Sequence, residues 1–323
     1  MRIKLSKRLI ITAMLLLFVA LPLLFACSAD DSDISGSMQE PVDTPKSPVP
    51  PEDEFNVVIS EYDFDDGYDE SENENSSENE NGNGINAEAP DEYFEIYSIE
   101  GTADSLSDAV WERMQTWRSN ASILADNYRG VVITNMNPSE RVVYLTFDDG
   151  PDSVNTVSVI NTLLEYDVSA TFFFTGENIR RHGDVVMLAH EAGFSLGLHG
   201  YSHTSFHELT AEEIISELNE NNDLLEAITG ERSKIVRPPY GAVESSEIET
   251  INGMDLSIYL WSLDTLDWAQ SDANEILRNI KENIRPGDII LMHAFSGQRL
   301  VPEILPAIIE FLRDEGFEMR ALP

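Results

Sequence analysis

From residue 142 to the C-terminus, short runs of β-branched and aromatic residues alternate with stretches whose apolar positions recur at helical spacing. VVYLTF (142–147), ATFFFTG, FSLGLH, KIVRPP, DLSIYLWSLD, GDIILMH and FEMRAL read as strands. Residues 153–166, 184–192 and 210–230, SDANEILRNIKENI and the segment 302–315 read as helices. The helix at 210–230 opens on a capping box, Thr210 with Glu213, and stops at Gly230. Alternation of this kind implies an α/β fold, a parallel sheet covered by helices. About seven strands suit a barrel as well as an open sheet. In either architecture chemistry gathers where the strands end.

The part before this pattern is different in character. MRIKLSKR is basic, and an apolar run of 18 residues follows it and ends at the sole cysteine, Cys27. Pro22 interrupts the run and the small Ala26 closes it, which suits a cleaved secretory signal over residues 1–27 better than a membrane span. Leu24-Phe25-Ala26-Cys27 resembles a bacterial lipobox, with Phe25 where a smaller residue is usual. The expectation is a lipid on Cys27 that anchors an extracytoplasmic protein to the cell membrane, or a secreted protein if the lipid is not added. Residues 28–90 hold 19 acids and one base, and SENENSSENENGNG is nearly without apolar groups. Such a segment cannot offset chain entropy by burial, so a disordered acidic linker is expected there. Residues 91–139 are expected to form a helical N-terminal extension, with Leu106, Val110, Met114, Trp117, Ile123 and Leu124 at helical spacing and Trp111 and Trp117 as packing groups. The main domain is expected over 140–323.

The net charge of −39 therefore divides into +4 over residues 1–27, −18 over 28–90 and −25 over the remainder. A domain this acidic does not suit a nucleic-acid partner, whose phosphates need clustered Lys and Arg. One cysteine excludes an intrachain disulfide and a cysteine-based zinc site. Nothing in the sequence calls for a protein partner.

Polar groups collect at the ends of the strand candidates. YLTFDDG delivers Asp148 and Asp149 directly after an apolar run. Adjacent side chains diverge there, so one carboxylate can serve a metal while the other stays free as a base. In GLHGYSH, His199 and His203 are four residues apart, and one helical turn would place both imidazoles on one side. With Asp149 they supply two nitrogens and one oxygen and leave a coordination position open, the pattern of a catalytic rather than a structural metal site. VRPPYG offers Arg237, which can pair with a carboxylate, and prolines that stiffen the backbone ahead of Tyr240. WSLDTLDW offers Asp264, Asp267 and Trp268, and ILMHA ends a strand on His293.

TFDDG, HGYSH, RPPYG, DTLDW and LMH, in this order, resemble the polysaccharide deacetylase family, the NodB-homology domain of carbohydrate esterase family 4. ATFFFTG, AITG and PGDIILMH resemble it too, and the likeness runs from about residue 140 to 322. It implies a distorted (β/α) barrel and metal-dependent removal of acetyl groups from a sugar polymer. By the same resemblance Asp148 is the general base, Asp149, His199 and His203 hold one divalent metal, usually zinc, and Arg237 orients the base. The backbone amide of Tyr240 is implied as the oxyanion donor, His293 as the general acid and Trp268 as a wall of the acetyl pocket. Either Asp267 or Asp264 is implied to tune His293, with Asp267 favoured by its place before Trp268. An acetylated cell-wall glycan, peptidoglycan above all, is the implied substrate, with chitin oligosaccharide, a biofilm glycan, O-acetyl xylan or a silent glycan-binding role as alternatives. Leu198-His199-Gly200 departs from the Asn-His-Thr or Asn-His-Ser that the family often carries.

Overall fold

A computed structural model of the protein describes residues 94–295, 297 and 299–323. The expected signal with Cys27 and the expected acidic linker lie outside the described residues. Helix α1 (Asp108–Asn127) precedes β1 (Val132–Ile133), β2 (Val142–Asp148), α2 (Asn155–Glu165) and β3 (Thr171–Phe174). Then come α3 (Gly176–Arg181), α4 (Gly183–Glu191), β4 (Ser195–Leu198), α5 (Ala211–Thr229), β5 (Ile235–Val236) and α6 (Ser245–Asn252). The C-terminal part holds β6 (Ser257–Tyr259), β7 (Leu263–Asp264), α7 (Ala273–Asn283), β8 (Ile289–His293), α8 (Leu300–Asp314) and β9 (Glu318–Met319). Among the described residues no helix is long and apolar enough to cross a membrane.

The strands form one sheet in the order β1-β6-β5-β4-β3-β2-β8-β7, with β9 also beside β2. All of these pairings are parallel. The sheet curls into a half-barrel with helices packed around it, the α/β architecture that the alternation implied. Its middle strands are buried nearly throughout, as covered parallel strands must be. Phe147 stacks on Phe172, which meets Phe174 and the edge of Phe194, with ring centroids 5.3–5.5 Å apart. Helix α5 is capped as its sequence indicated. The Glu213 amide donates to the Thr210 hydroxyl, the Glu213 carboxylate accepts from the Thr210 amide, and Gly230 ends the helix at φ 80°.

The described residues ahead of 140, expected as a helical extension, hold more than a helix. They are helical over α1, but they also supply β1, and Glu100 forms a bridge beside Leu263 at the far end of the sheet. Ile99, Ala121, Ala125 and Val132 belong to the same buried core as β2 and β8. The reason is geometric: β1 and β7 end the sheet, and the residues before 140 cover both of those ends.

Candidate metal centre and active site

Strand register assembles the site. Asp148 lies opposite His293 on β8 and opposite Phe173 on β3. Phe174 pairs with Leu198, and Leu198 with Val236. His199 and Arg237, one residue further along, therefore emerge at neighbouring C-terminal strand ends, together with Asp148, Asp149 and His293.

The metal-ligand candidates converge. His199 Nε2 lies 3.2 Å and His203 Nε2 3.0 Å from the Asp149 Oδ1 oxygen. That oxygen is buried, and neither imidazole gives it a hydrogen bond of good geometry. Three donor atoms that share a tetrahedral cation at about 2.0–2.1 Å are separated by roughly 3.3 Å, so the donor set fits a divalent metal in both chemistry and spacing. The His199 Nδ1 atom is 2.7 Å from the Arg237 carbonyl oxygen. A carbonyl can only accept, so Nδ1 carries the proton and Nε2 turns a lone pair toward Asp149. Burial disfavours the charge on Asp149, yet the neighbouring His203 outweighs it and holds its carboxyl well below the ordinary value. Burial likewise lowers His203, and Asp149 overcomes this to leave the imidazole raised.

The two histidines do not meet by a helical turn. Residues 199–203 form a loop in which Gly200 has φ 68° and His203 φ 62°. Asp149 (φ 71°), Tyr240 (φ 61°) and Leu266 (φ 54°) are left-handed as well. Four non-glycine residues in this strained conformation thus sit in the site motifs, where surrounding contacts must hold them.

Asp148 is directed by Arg237, which is fully buried. Arg237 Nη1 donates to Asp148 Oδ1 at 2.7 Å and to Thr146 Oγ1 at 2.8 Å, while Nε and Nη2 donate to the Tyr259 and Leu260 carbonyls at 2.9 Å. Its guanidinium lies 4.3 Å over the Phe173 ring. Thr146 opens the TFDDG motif but was given no role there, although strand alternation places it on the same face as Asp148.

The structure separates the two aspartates of DTLDW. Asp267 accepts from the His293 backbone amide and ring Nδ1, both at 2.8 Å, which fixes the ring and leaves Nε2 for a substrate. Burial works against a charged imidazole here, but Asp267, with Asp149 and Asp148 behind it, pushes His293 up to about 10. Asp264 is not the hydrogen-bond partner of His293. Its carboxylate accepts from the Leu266 amide at 2.9 Å and lies 3.7 Å from Arg118 of α1, because the left-handed turn at Leu266 separates the two side chains. His293 is charged below its raised value, so the stability it contributes is complete below its ordinary 6.5 and is lost as pH rises through about 10. With Asp267→Asn, the alkaline limb of the kcat/KM profile is expected to move down from near pH 10 toward 6.5. An unmoved limb would assign it to another group.

Of the remaining candidates, Tyr240 adjoins the metal-ligand candidates. It is partly exposed, and its ring meets the His203 ring edge-on at 4.7 Å. Trp268 packs against a small cluster of Ala103, Met114 and Leu266. Helix α1 reaches this side of the site as well. Trp117 donates from Nε1 to the Gly241 carbonyl at 3.3 Å and lies 5.0 Å from Trp261. A Cβ on Gly241 would come within 2.6 Å of the Trp117 ring, so a glycine is needed beside Tyr240. Trp117 and Arg118 carry no motif that marks them as neighbours of the site.

Known proteins resemble this chain in sequence and fold. The polysaccharide deacetylase family model matches residues 135–258, which include the aspartate pair, the histidine pair and Arg237–Gly241. Two peptidoglycan-N-acetylglucosamine deacetylases of Bacillus cereus are each 33% identical, over 56% and 57% of this chain and 66% and 71% of their own lengths. A peptidoglycan-N-acetylmuramic acid deacetylase of Bacillus subtilis is 29% identical over 57% of this chain, which spans 38% of that protein. A crystal structure of a peptidoglycan N-acetylglucosamine deacetylase aligns with TM-score 0.60 and 30% identity, covering 62% of this chain and 94% of that one. The chain belongs to the polysaccharide deacetylase family, a family of hydrolases.

Proposed function

We propose that this protein removes N-acetyl groups from a bacterial cell-wall glycan, with peptidoglycan N-acetylglucosamine as substrate and acetate and glucosamine units as products. The observation that carries the reading is Asp148 and His293, in register on adjacent strands, placed beside the Asp149–His199–His203 cluster. The printed names of the relatives support the same substrate class. A neighbouring structure, 26% identical with TM-score 0.57, is described as a family pseudoenzyme with restored activity, so the side chains and not membership decide activity.

Asp149, His199 and His203 would hold one divalent ion, and two imidazoles with one carboxylate suit zinc. When bound, the ion polarises the acetyl carbonyl and lowers the pKa of water at the site. Asp148, aimed by Arg237, takes a proton as water adds to the carbonyl carbon. The Tyr240 amide donates to the developing oxyanion, an interaction worth about 3 kcal/mol. Trp268 walls the acetyl group. As the C–N bond breaks, protonated His293 gives its Nε2 proton to the leaving nitrogen. Export by residues 1–27 and a lipid on Cys27 would hold the enzyme at the membrane surface facing its polymer. Palmitate labelling that persists in Cys27→Ala would remove that anchor.

Zinc-loaded protein is expected to release acetate from N-acetylated peptidoglycan fragments, to lose the activity to a chelator and to regain it with zinc. Faster release from O-acetyl xylan, the kind of substrate suggested by a relative named a bifunctional xylanase/deacetylase in Pseudobutyrivibrio xylanivorans, would redirect the substrate assignment. Silence on every glycan would favour a binding role.

A further inference from the structure

The loop between the two histidine ligands is fastened by one carboxylate. Glu217, on α5, accepts through Oε2 from the Tyr201 amide at 2.7 Å and the Ser202 amide at 2.8 Å. Its Oε1 accepts from the Ser202 hydroxyl at 2.9 Å. One turn further along α5, Asn221 donates from Nδ2 to the carbonyls of Gly200 and Phe174, at 2.5 and 2.9 Å. Together they hold all three residues between His199 and His203. Gly200 and His203, at either end of the stretch, are left-handed, a shape that a free pentapeptide would rarely keep.

His199 has anchors of its own. Its amide donates to the Phe174 carbonyl at 3.1 Å and its ring Nδ1 to Arg237. The backbone of Asp149 is likewise held, by Asn178 Nδ2 on its carbonyl at 2.7 Å. The His203 ring meets the rings of Tyr240 and His199 edge-on, and its backbone follows the path of the loop that leads to it. The two oxygens of Glu217 accept three donors from two consecutive residues, so one side chain ties both residues to α5.

We propose that Glu217 is a positioning residue for the metal: by tying Tyr201 and Ser202 to α5 it presets His203 for coordination, so that ion binding does not have to order the loop. The inference rests on the metal-site reading above.

The test is zinc affinity of the full chain by competition with a chromophoric chelator, with folding followed by circular dichroism. Glu217→Ala is expected to weaken zinc by about 10–100-fold, the usual effect of losing a residue that orients metal ligands. Glu217→Gln keeps an oxygen for both amides and is expected to stay within about fivefold of wild type, because geometry and not charge carries the effect. Folded Glu217→Ala with wild-type affinity overturns the proposal, as does a Gln variant as weak as Ala. Should Glu217→Ala not fold, Ser202→Ala removes one of the three donors. A loss of about threefold or more then supports the clamp, and no loss overturns it. Asp149→Ala separates the two readings: wild-type protein that binds zinc no better than Asp149→Ala refutes the metal site itself, whereas tight wild-type binding unchanged by Glu217→Ala refutes the clamp alone.

Discussion

Replacing Asp148 by Asn is expected to cut turnover by at least about a hundredfold while bound zinc is retained, the scale of a lost general base. Asn keeps the size of Asp148 and an oxygen that can accept from Arg237 Nη1, so the local geometry survives. What it lacks is a site for the proton. Asp148 Oδ2 is 3.9 Å from His199 Nε2, whereas the two imidazoles converge on Asp149, so the metal should be indifferent to the change. Acetate release and metal content measured on the same sample check both halves. Turnover within tenfold of wild type would take the base role away from Asp148.

The second large effect is on stability. Arg237→Met is expected to cost about 3–5 kcal/mol in urea unfolding, because it leaves a buried carboxylate without its counter-charge. It also strips donors from the Tyr259 and Leu260 carbonyls and from Thr146. Lys would not rescue it, since one ammonium cannot reproduce a planar fork that reaches four acceptors. Adding Asp148→Asn to Arg237→Met should return part of the loss, because the stranded charge is then gone. A cost below about 1 kcal/mol for Arg237→Met would mean that the buried pair contributes little to stability.

Much of this site was legible because each motif follows an apolar strand, and a polar residue at such a point has few bland explanations. Asp148, Asp149, Arg237 and His293 stand where the strand-end argument placed them. The histidine spacing was informative, but its geometric reason was not: the pair meets through left-handed residues, and dihedral angles leave no periodic trace. Asp264 and Asp267 could not be told apart by spacing, because the turn at Leu266 decides which carboxylate reaches His293. Strands of two residues, such as β1 and β7, are too short to show alternation, so DLSIYLWSLD read as one strand where the structure has two. The short helix α3 and helix α6 were missed because six and eight residues give little periodicity. Glu217 and Arg118 matter through partners distant in sequence, which no local window contains.

The way α1 and the segment ahead of it are built in bears on how this enzyme can be cut and recombined. The family match starts at residue 135, yet Trp117 covers Trp261 and Gly241, Arg118 faces the buried Asp264, and Gly101 packs so closely on the Asp264 carbonyl that no side chain fits between. A fragment beginning at the family boundary would expose an indole and keep an aspartate buried without Arg118, within three residues of the aspartate that serves His293. The smallest piece that can be shortened, fused or exchanged among relatives without loosening that loop therefore starts ahead of Ile99.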